Sequence, residues 1–199
     1  MQILLYETFQ NTSFDQRLQW FCEPVSWQVD ATSGHLVIAT EASTDFWQRT
    51  HYGFQADNGH LLYLPVTGDC VVETWATVGG QHQYDQAGLM LRDDADNWLK
   101  TSVEFEPDSP NRLGAVVTRD GYSDWSTQDL ADTVTEIGLR AKVEGDCVIV
   151  EAALEPEQWT QIRVAYLRRG ANRQVGLYAC SPKEAGFAPR FSYLRITTE

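Results

Sequence analysis

No stretch of this 199-residue chain approaches the roughly 18 apolar residues that a membrane-spanning helix requires. The opening, Met1-Gln2-Ile3-Leu4-Leu5-Tyr6-Glu7, carries no basic residue, and its apolar run stops at Glu7. A secretory leader needs a longer apolar region and a small-residue cleavage site, so the expected location is cytoplasmic. Positive charge is scarce. Lys and Arg number 15 against 28 Asp and Glu, for a formal net charge of −13. Such a balance is unsuited to the phosphates of a nucleic acid and to an anionic bilayer. Neither is an expected partner.

Cysteine is sparse as well. Cys22, Cys70, Cys147 and Cys180 are scattered, with no C-x-x-C pair, which excludes the usual zinc knuckle and thioredoxin patterns. Cys70 and Cys147 open apolar runs and read as small buried hydrophobes. The histidines, His35, His51, His60 and His82, show no metal-ligand spacing. The chain also lacks a phosphate-binding glycine loop and a G-x-S-x-G elbow. No metal and no cofactor are expected. The loop Asp93-Asp94-Ala95-Asp96-Asn97 offers oxygens of the kind calcium takes. It has neither the spacing nor the closing glutamate of a calcium loop, and reads as a solvated turn.

Hydrophobic residues make up 43% of the chain and aromatics 12%, enough for a sizeable core. Helical periodicity is almost absent. Period-two alternation recurs at 35–39, 60–64, 70–78, 87–92, 98–105, 114–118, 136–143, 147–154, 161–167, 174–180 and 187–197. Turn chemistry lies between, as in Asp57-Asn58-Gly59, Asp120-Gly121 and Glu144-Gly145-Asp146. Short strands at near-regular spacing predict an all-β sandwich. Their number favours a jelly roll, folded as one domain over 1–199.

Three segments mix aromatic and polar side chains: 44–54, 84–90 leading to Trp98, Lys100 and Glu104, and 122–126. In the strand from Trp98, alternation puts Leu99, Thr101, Val103 and Phe105 on one face. Trp98, Lys100, Ser102, Glu104 and Glu106 fall on the other. Rings that stack on a pyranose, beside groups that hydrogen-bond its hydroxyls, suit a sugar or small-polyol site. Its candidate residues are Trp47, Arg49, Tyr84, Asp85, Gln86, Lys100, Glu104, Asp124 and Trp125. Arg49 has an alternative role as the ion-pair partner of Asp45 or Asp85, whereas Phe46, Phe54, Leu89 and Trp159 read as core.

The runs 45–54, 84–90 and 98–100, with Val117-Thr118, 122–126, 176–182 and Gly186-Phe187, resemble the uncharacterised family that includes the fungal regulation-of-enolase protein. The likeness runs from about Trp27 to Phe191. It implies a concanavalin A-like jelly-roll sandwich of two antiparallel sheets, one face concave. That architecture is shared by lectins, glucanases and carbohydrate-binding modules. The segment 153–159 departs from the turn that relatives show before Trp159. Glu104-Phe105-Glu106-Pro107 lacks the Asp and second catalytic Glu of the sandwich glucanases, so their mechanism does not carry over. Carbohydrate or polyol binding is the leading expectation. A glycosidase is the first alternative; it would need two carboxyls, Glu104 with Asp85, Asp45 or Asp124, about 5–5.5 Å apart for retention or about 6.5–9.5 Å apart for inversion. A regulatory protein-interaction module, which would need an exposed apolar patch, is the other.

Overall fold

The structure is a computed structural model that describes residues 2–198. In chain order its strands are β1 (Gln2–Glu7), β2 (Gln19–Phe21), β3 (Ser26–Asp30), β4 (His35–Ala39), β5 (Phe46–Gln48), β6 (Gln55–Asp57), β7 (His60–Val66), β8 (Cys70–Thr77) and β9 (Gln86–Asp94). There follow β10 (Asn97–Glu104), β11 (Asn111–Arg119), β12 (Tyr122–Leu130), β13 (Glu136–Glu144), β14 (Cys147–Ala153), β15 (Thr160–Tyr166), β16 (Arg173–Cys180), β17 (Arg190–Phe191) and β18 (Leu194–Thr198). Two large antiparallel sheets form a concanavalin A-like jelly-roll sandwich. One has seven strands in the order β12-β11-β10-β9-β16-β7-β2. The other has nine, in the order β15-β14-β13-β8-β17-β4-β3, with β18 pairing both β8 and β1.

Alternation explains how the sheets meet. Leu99 and Val103 of β10, Leu89 and Leu91 of β9, and Val175 and Leu177 of β16 point into the space between them. There they join Ile137, Leu139, Val148, Val150 and Ile196 of the facing sheet. Thr101 sits in the same buried row because its hydroxyl donates to the Gly114 carbonyl at 2.8 Å, which removes the penalty of burying it. The tight connections follow their residues. Asp120 and Gly121 take φ of 50° and 77° between the paired Arg119 and Tyr122, as a two-residue hairpin turn of this hand requires.

Several strands carry no alternation signal. β12 is an edge strand whose Ser, Thr, Gln and Asp side chains are largely exposed, so it needed no apolar face. β1, β2, β3, β5 and β6 are short or lie at sheet margins, where burial is partial. The acidic loop at 93–97 is a turn between β9 and β10. Asp93 pairs with Arg173 at 2.8 Å, and Asp94 pairs with Arg168 at 2.6 Å while accepting from the Asp96 amide. The four cysteines are free thiols. Cys70 and Cys180 are buried, Cys147 half-buried and Cys22 exposed.

The outer face of the seven-stranded sheet carries Trp98, Lys100 and Glu104 of β10, the residues expected on a concave face. The β5–β6 hairpin lies across part of it. Phe46 and Trp47 pack on Trp98, Met90, Leu61, Val116, Tyr178 and Cys180, making a second apolar cluster separate from the core between the sheets. Burying a side chain the size of phenylalanine contributes about 1.5–3 kcal/mol, so packing holds the hairpin down. Gly59 makes the approach possible, because a Cβ there would overlap the Phe46 ring and the Cys180 sulfur. What remains uncovered is a cleft between the hairpin and the sheet.

Candidate functional site

The cleft has a volume of about 270 Å³ and is lined by Asp45, Trp47, Tyr52, Phe54, Tyr84, Gln86, Lys100, Glu104, Trp125 and Lys183. Register explains the floor. Lys100 of β10 lies opposite Val116 of β11, which lies opposite Trp125 of β12. Glu104 lies opposite Gln86 of β9, which lies opposite Cys180 of β16. Lys100, Glu104, Gln86 and Trp125 therefore share one face of the sheet although they come from three strands.

The floor is a small polar network in an apolar setting. The Lys100 Nζ donates to Gln86 Oε1 at 2.6 Å and to Asp45 Oδ1 at 3.2 Å. Gln86 Oε1 also accepts from the Tyr178 hydroxyl at 3.1 Å, and Gln86 Nε2 donates to the Tyr84 carbonyl at 3.1 Å. Asp45 accepts from the Phe46 amide at 2.7 Å. Burial pulls the Lys100 ammonium toward lower pKa, but the Asp45 and Glu104 carboxylates outweigh it and hold the pKa above its ordinary value. Lys100 is a charged anchor in this state.

Glu104 differs from its neighbours. It is 7% exposed, and it takes no part in the hydrogen bonds that join Lys100, Gln86, Asp45 and Tyr178. Burial is the first cause that lifts its pKa from about 4.5 to about 7. Lys100 works against the shift, while Asp45 and Glu106 reinforce it. The native state thus holds a proton that the unfolded chain releases near pH 4.5, so stability falls as pH rises from there through about 7. At about 1.4 kcal/mol per pKa unit the loss is roughly 3 kcal/mol. Urea melts of wild type and Glu104→Gln across this range should diverge by that amount. Superimposable pH profiles would show that Glu104 is not titrating as described.

The walls are aromatic. Trp47 is fixed by its indole N–H, which donates to the Thr50 carbonyl at 3.0 Å, and Tyr52 packs edge-on against it at 5.4 Å. Tyr52 and Phe54 come from the β5–β6 turn and are 51% and 44% exposed. Tyr84 stands opposite with φ of 71°, a conformation that costs a bulky residue energy and tends to persist at functional sites. Its amide donates to the Phe105 carbonyl at 2.8 Å, and the Lys183 ammonium lies 5.6 Å from its ring centre.

The structure brings together Trp47, Tyr84, Gln86, Lys100, Glu104 and Trp125 of the expected ligand contacts, with Asp45 beside them. It places Arg49, Asp85 and Asp124 elsewhere. Arg49 reaches away from Asp45 and Asp85, donating to the Gly121 carbonyl at 2.8 Å and lying 5.7 Å from the Tyr122 ring centre. It ties the hairpin to the β11–β12 turn. Asp85 is 1% exposed, and its carboxylate accepts from the Gln81 and His82 amides at 2.9 Å each and from the Ser181 hydroxyl at 2.7 Å. Those bonds close the turn before β9. Asp124 pairs with Arg119 and with Arg163 of the other sheet, because alternation turns it to the face opposite Trp125. Phe54, read as core, lines the cleft. Tyr52 belongs to the same aromatic run, whereas Lys183 carried no sequence signal.

A family described as "Protein of unknown function (DUF1349)" matches residues 20–199. Regulation of enolase protein 1 of Saccharomyces cerevisiae is 31% identical over 188 residues, which are 94% of this chain and 92% of that protein. The crystal structure of a functionally unknown protein from Saccharomyces cerevisiae is similar at 31% identity with a TM-score of 0.85, covering 92% of this chain and 97% of that one. A GH43 protein from Bacillus licheniformis reaches a TM-score of 0.77 at 16% identity, over 98% of this chain and 39% of the other. That last likeness is one of fold.

Proposed function

The chain belongs to the DUF1349 family of proteins of unknown function, and from that premise we propose that its cleft binds a single sugar ring or a polyol of similar size. One observation carries the reading: aromatic walls close over a buried polar floor. Trp47, Tyr52, Phe54, Tyr84 and Trp125 offer ring faces and edges to the apolar side of a sugar, while Lys100, Gln86, Asp45 and Glu104 offer hydrogen-bonding groups to its hydroxyls. The volume of about 270 Å³ lies just below the usual range of about 300–1,000 Å³ for small-molecule sites, which favours one ring over a chain.

The test is titration calorimetry with a panel of neutral monosaccharides and alditols. Trp125→Ala should weaken binding about tenfold, ~1.4 kcal/mol. Trp125 is half-buried on a sheet-edge strand, so its truncation should leave the fold intact. Absence of binding by wild type across the panel would overturn the proposal.

Hydrolysis is a second reading, favoured by the presence of Asp45 and Glu104 in one cleft with unlike surroundings. Asp45 is held by Lys100, whereas burial lifts Glu104 to about 7, within the range useful for a general acid. Nitrophenyl glycosides provide its assay. Sugar binding without any turnover across that series would leave binding as the function.

A further inference from the structure

We propose that Glu104 is the floor's uncommitted hydrogen-bonding group toward the ligand, and that it acts as the neutral carboxylic acid. The cleft would then select uncharged sugars and polyols and take up a proton when it binds them. The inference rests on the sugar-cleft reading and names the ligand class for it.

The hydrogen bonds of the floor single out Glu104. Lys100, Gln86 and Asp45 are bonded to one another, to Tyr178, and to the backbone of Tyr84 and Phe46. Glu104 lines the same cleft, is 7% exposed, and has no such partner among the described residues. Its oxygens face the cleft rather than being sealed in the protein, and a carboxyl so largely buried depends on whatever fills the cleft to complete its hydrogen bonding. A ligand in the cleft is placed to do that.

The surroundings decide its form. Lys100 on the same strand favours the carboxylate, but its ammonium is already engaged by Asp45 and Gln86. Asp45, from the loop before β5, and Glu106, just beyond β10, both favour the acid. Tyr178 and Cys180 on β16 are held neutral by burial, and Tyr84 before β9 has a raised pKa for the same first reason. Arg112, opposite on β11, pairs with Asp129. Lys183 at the rim stands over the Tyr84 ring. A neutral ligand filling the cleft displaces the water that still hydrates Glu104, which disfavours its ionised form further. The acid then offers one O–H donor and one carbonyl acceptor, a match for neighbouring sugar hydroxyls. A uronate would bring a second negative charge toward Asp45. An amino sugar would demand the ionised carboxylate.

The experiment is calorimetry with D-xylose, D-glucose and xylitol from about pH 5.5 to about pH 8.5, with D-glucuronate and D-glucosamine as charged analogues. Each titration is run in two buffers of different ionisation enthalpy to count protons. Affinity should be level at the acid end and fall above about pH 7, toward a limit of tenfold per pH unit. Proton uptake should appear near neutrality, and the charged analogues should not bind. Glu104→Gln keeps a neutral donor and acceptor. It should match the acid-side affinity of wild type and lose the pH dependence, its cooperative melt showing that it is folded. Sugar binding that is flat with pH, glucosamine binding that strengthens as pH rises, or loss of acid-side binding in a folded Glu104→Gln would each overturn this inference while leaving the sugar cleft standing. Failure of every neutral ligand at every pH would overturn both.

Discussion

Lys100→Met should lower the stability of the protein by about 3–5 kcal/mol, the usual cost of removing one partner from a buried ion pair. The Lys100 side chain is 3% exposed and that of Asp45 is 15% exposed. Methionine fills much the same volume, so the loss is electrostatic rather than a cavity effect. Without the ammonium, Asp45 keeps only the Phe46 amide among these bonds, and Gln86 Oε1 keeps only the Tyr178 hydroxyl. Asp45 and Glu104 would then face each other with no cation between them. Urea denaturation measures the change. Adding Asp45→Asn to Lys100→Met should recover part of it, since the penalty comes from the charge left behind. A single variant as stable as wild type would mean that the network is not what holds this floor. Sugar affinity should fall in the single variant as well, because the hairpin carrying Asp45 and Trp47 would lose its charged link to the sheet.

Asp85→Ala should cost about 3 kcal/mol or more, with little direct change in ligand affinity. Hydrogen bonds to a charged group are worth about 1.5–3 kcal/mol each, and deleting the acceptor leaves buried donors unmet. Here the donors are the amides of Gln81 and His82 and the hydroxyl of Ser181. Ser181 also bonds the Thr40 hydroxyl at 2.5 Å, and its amide donates to Thr44 Oγ1 at 2.9 Å, so the damage would spread to the segment leading into β5. Thermal melting gives the stability change. Calorimetry on the folded fraction, well below the melting temperature, separates it from binding. A variant that melts like wild type yet loses sugar affinity would place Asp85 in the site rather than beneath it.

The chemistry of Lys100 and Asp85 is plain from the sequence, but the direction of each side chain is not. Asp85 lies in a polar-aromatic run between Tyr84 and Gln86, and nothing in its chemistry distinguishes a ligand contact from a turn acceptor. What distinguishes them is direction. Gln86 opens β9 on the cleft face opposite Glu104, while Asp85 precedes the strand and folds back on its own turn. Asp124 and Trp125 differ in the same way: neighbours in sequence, they point to opposite sides of β12, and a one-residue step reverses the face. Charge alone pairs Arg49 with Asp45 or Asp85, but its positive φ and the turn around it carry the side chain to the Gly121 carbonyl. Phe54 is apolar, which by itself predicts core. It is exposed because the hairpin has no second layer above it.

Alternation, turn residues and the family motifs were sufficient for the all-β jelly-roll sandwich, and for placing Lys100 and Glu104 on the face away from the main core. Those are local properties: a strand's period of two declares which side chains are buried together without reference to any distant residue. The cleft itself is a tertiary product. Lys100 meets Gln86 from 14 residues away and Asp45 from 55, and only strand order and the fold of the β5–β6 hairpin bring them into contact. The acidity of Glu104 belongs to the same level. No sequence pattern lifts a glutamate to about pH 7. Burial under the hairpin, beside Asp45 and Glu106 and against the pull of Lys100, does so.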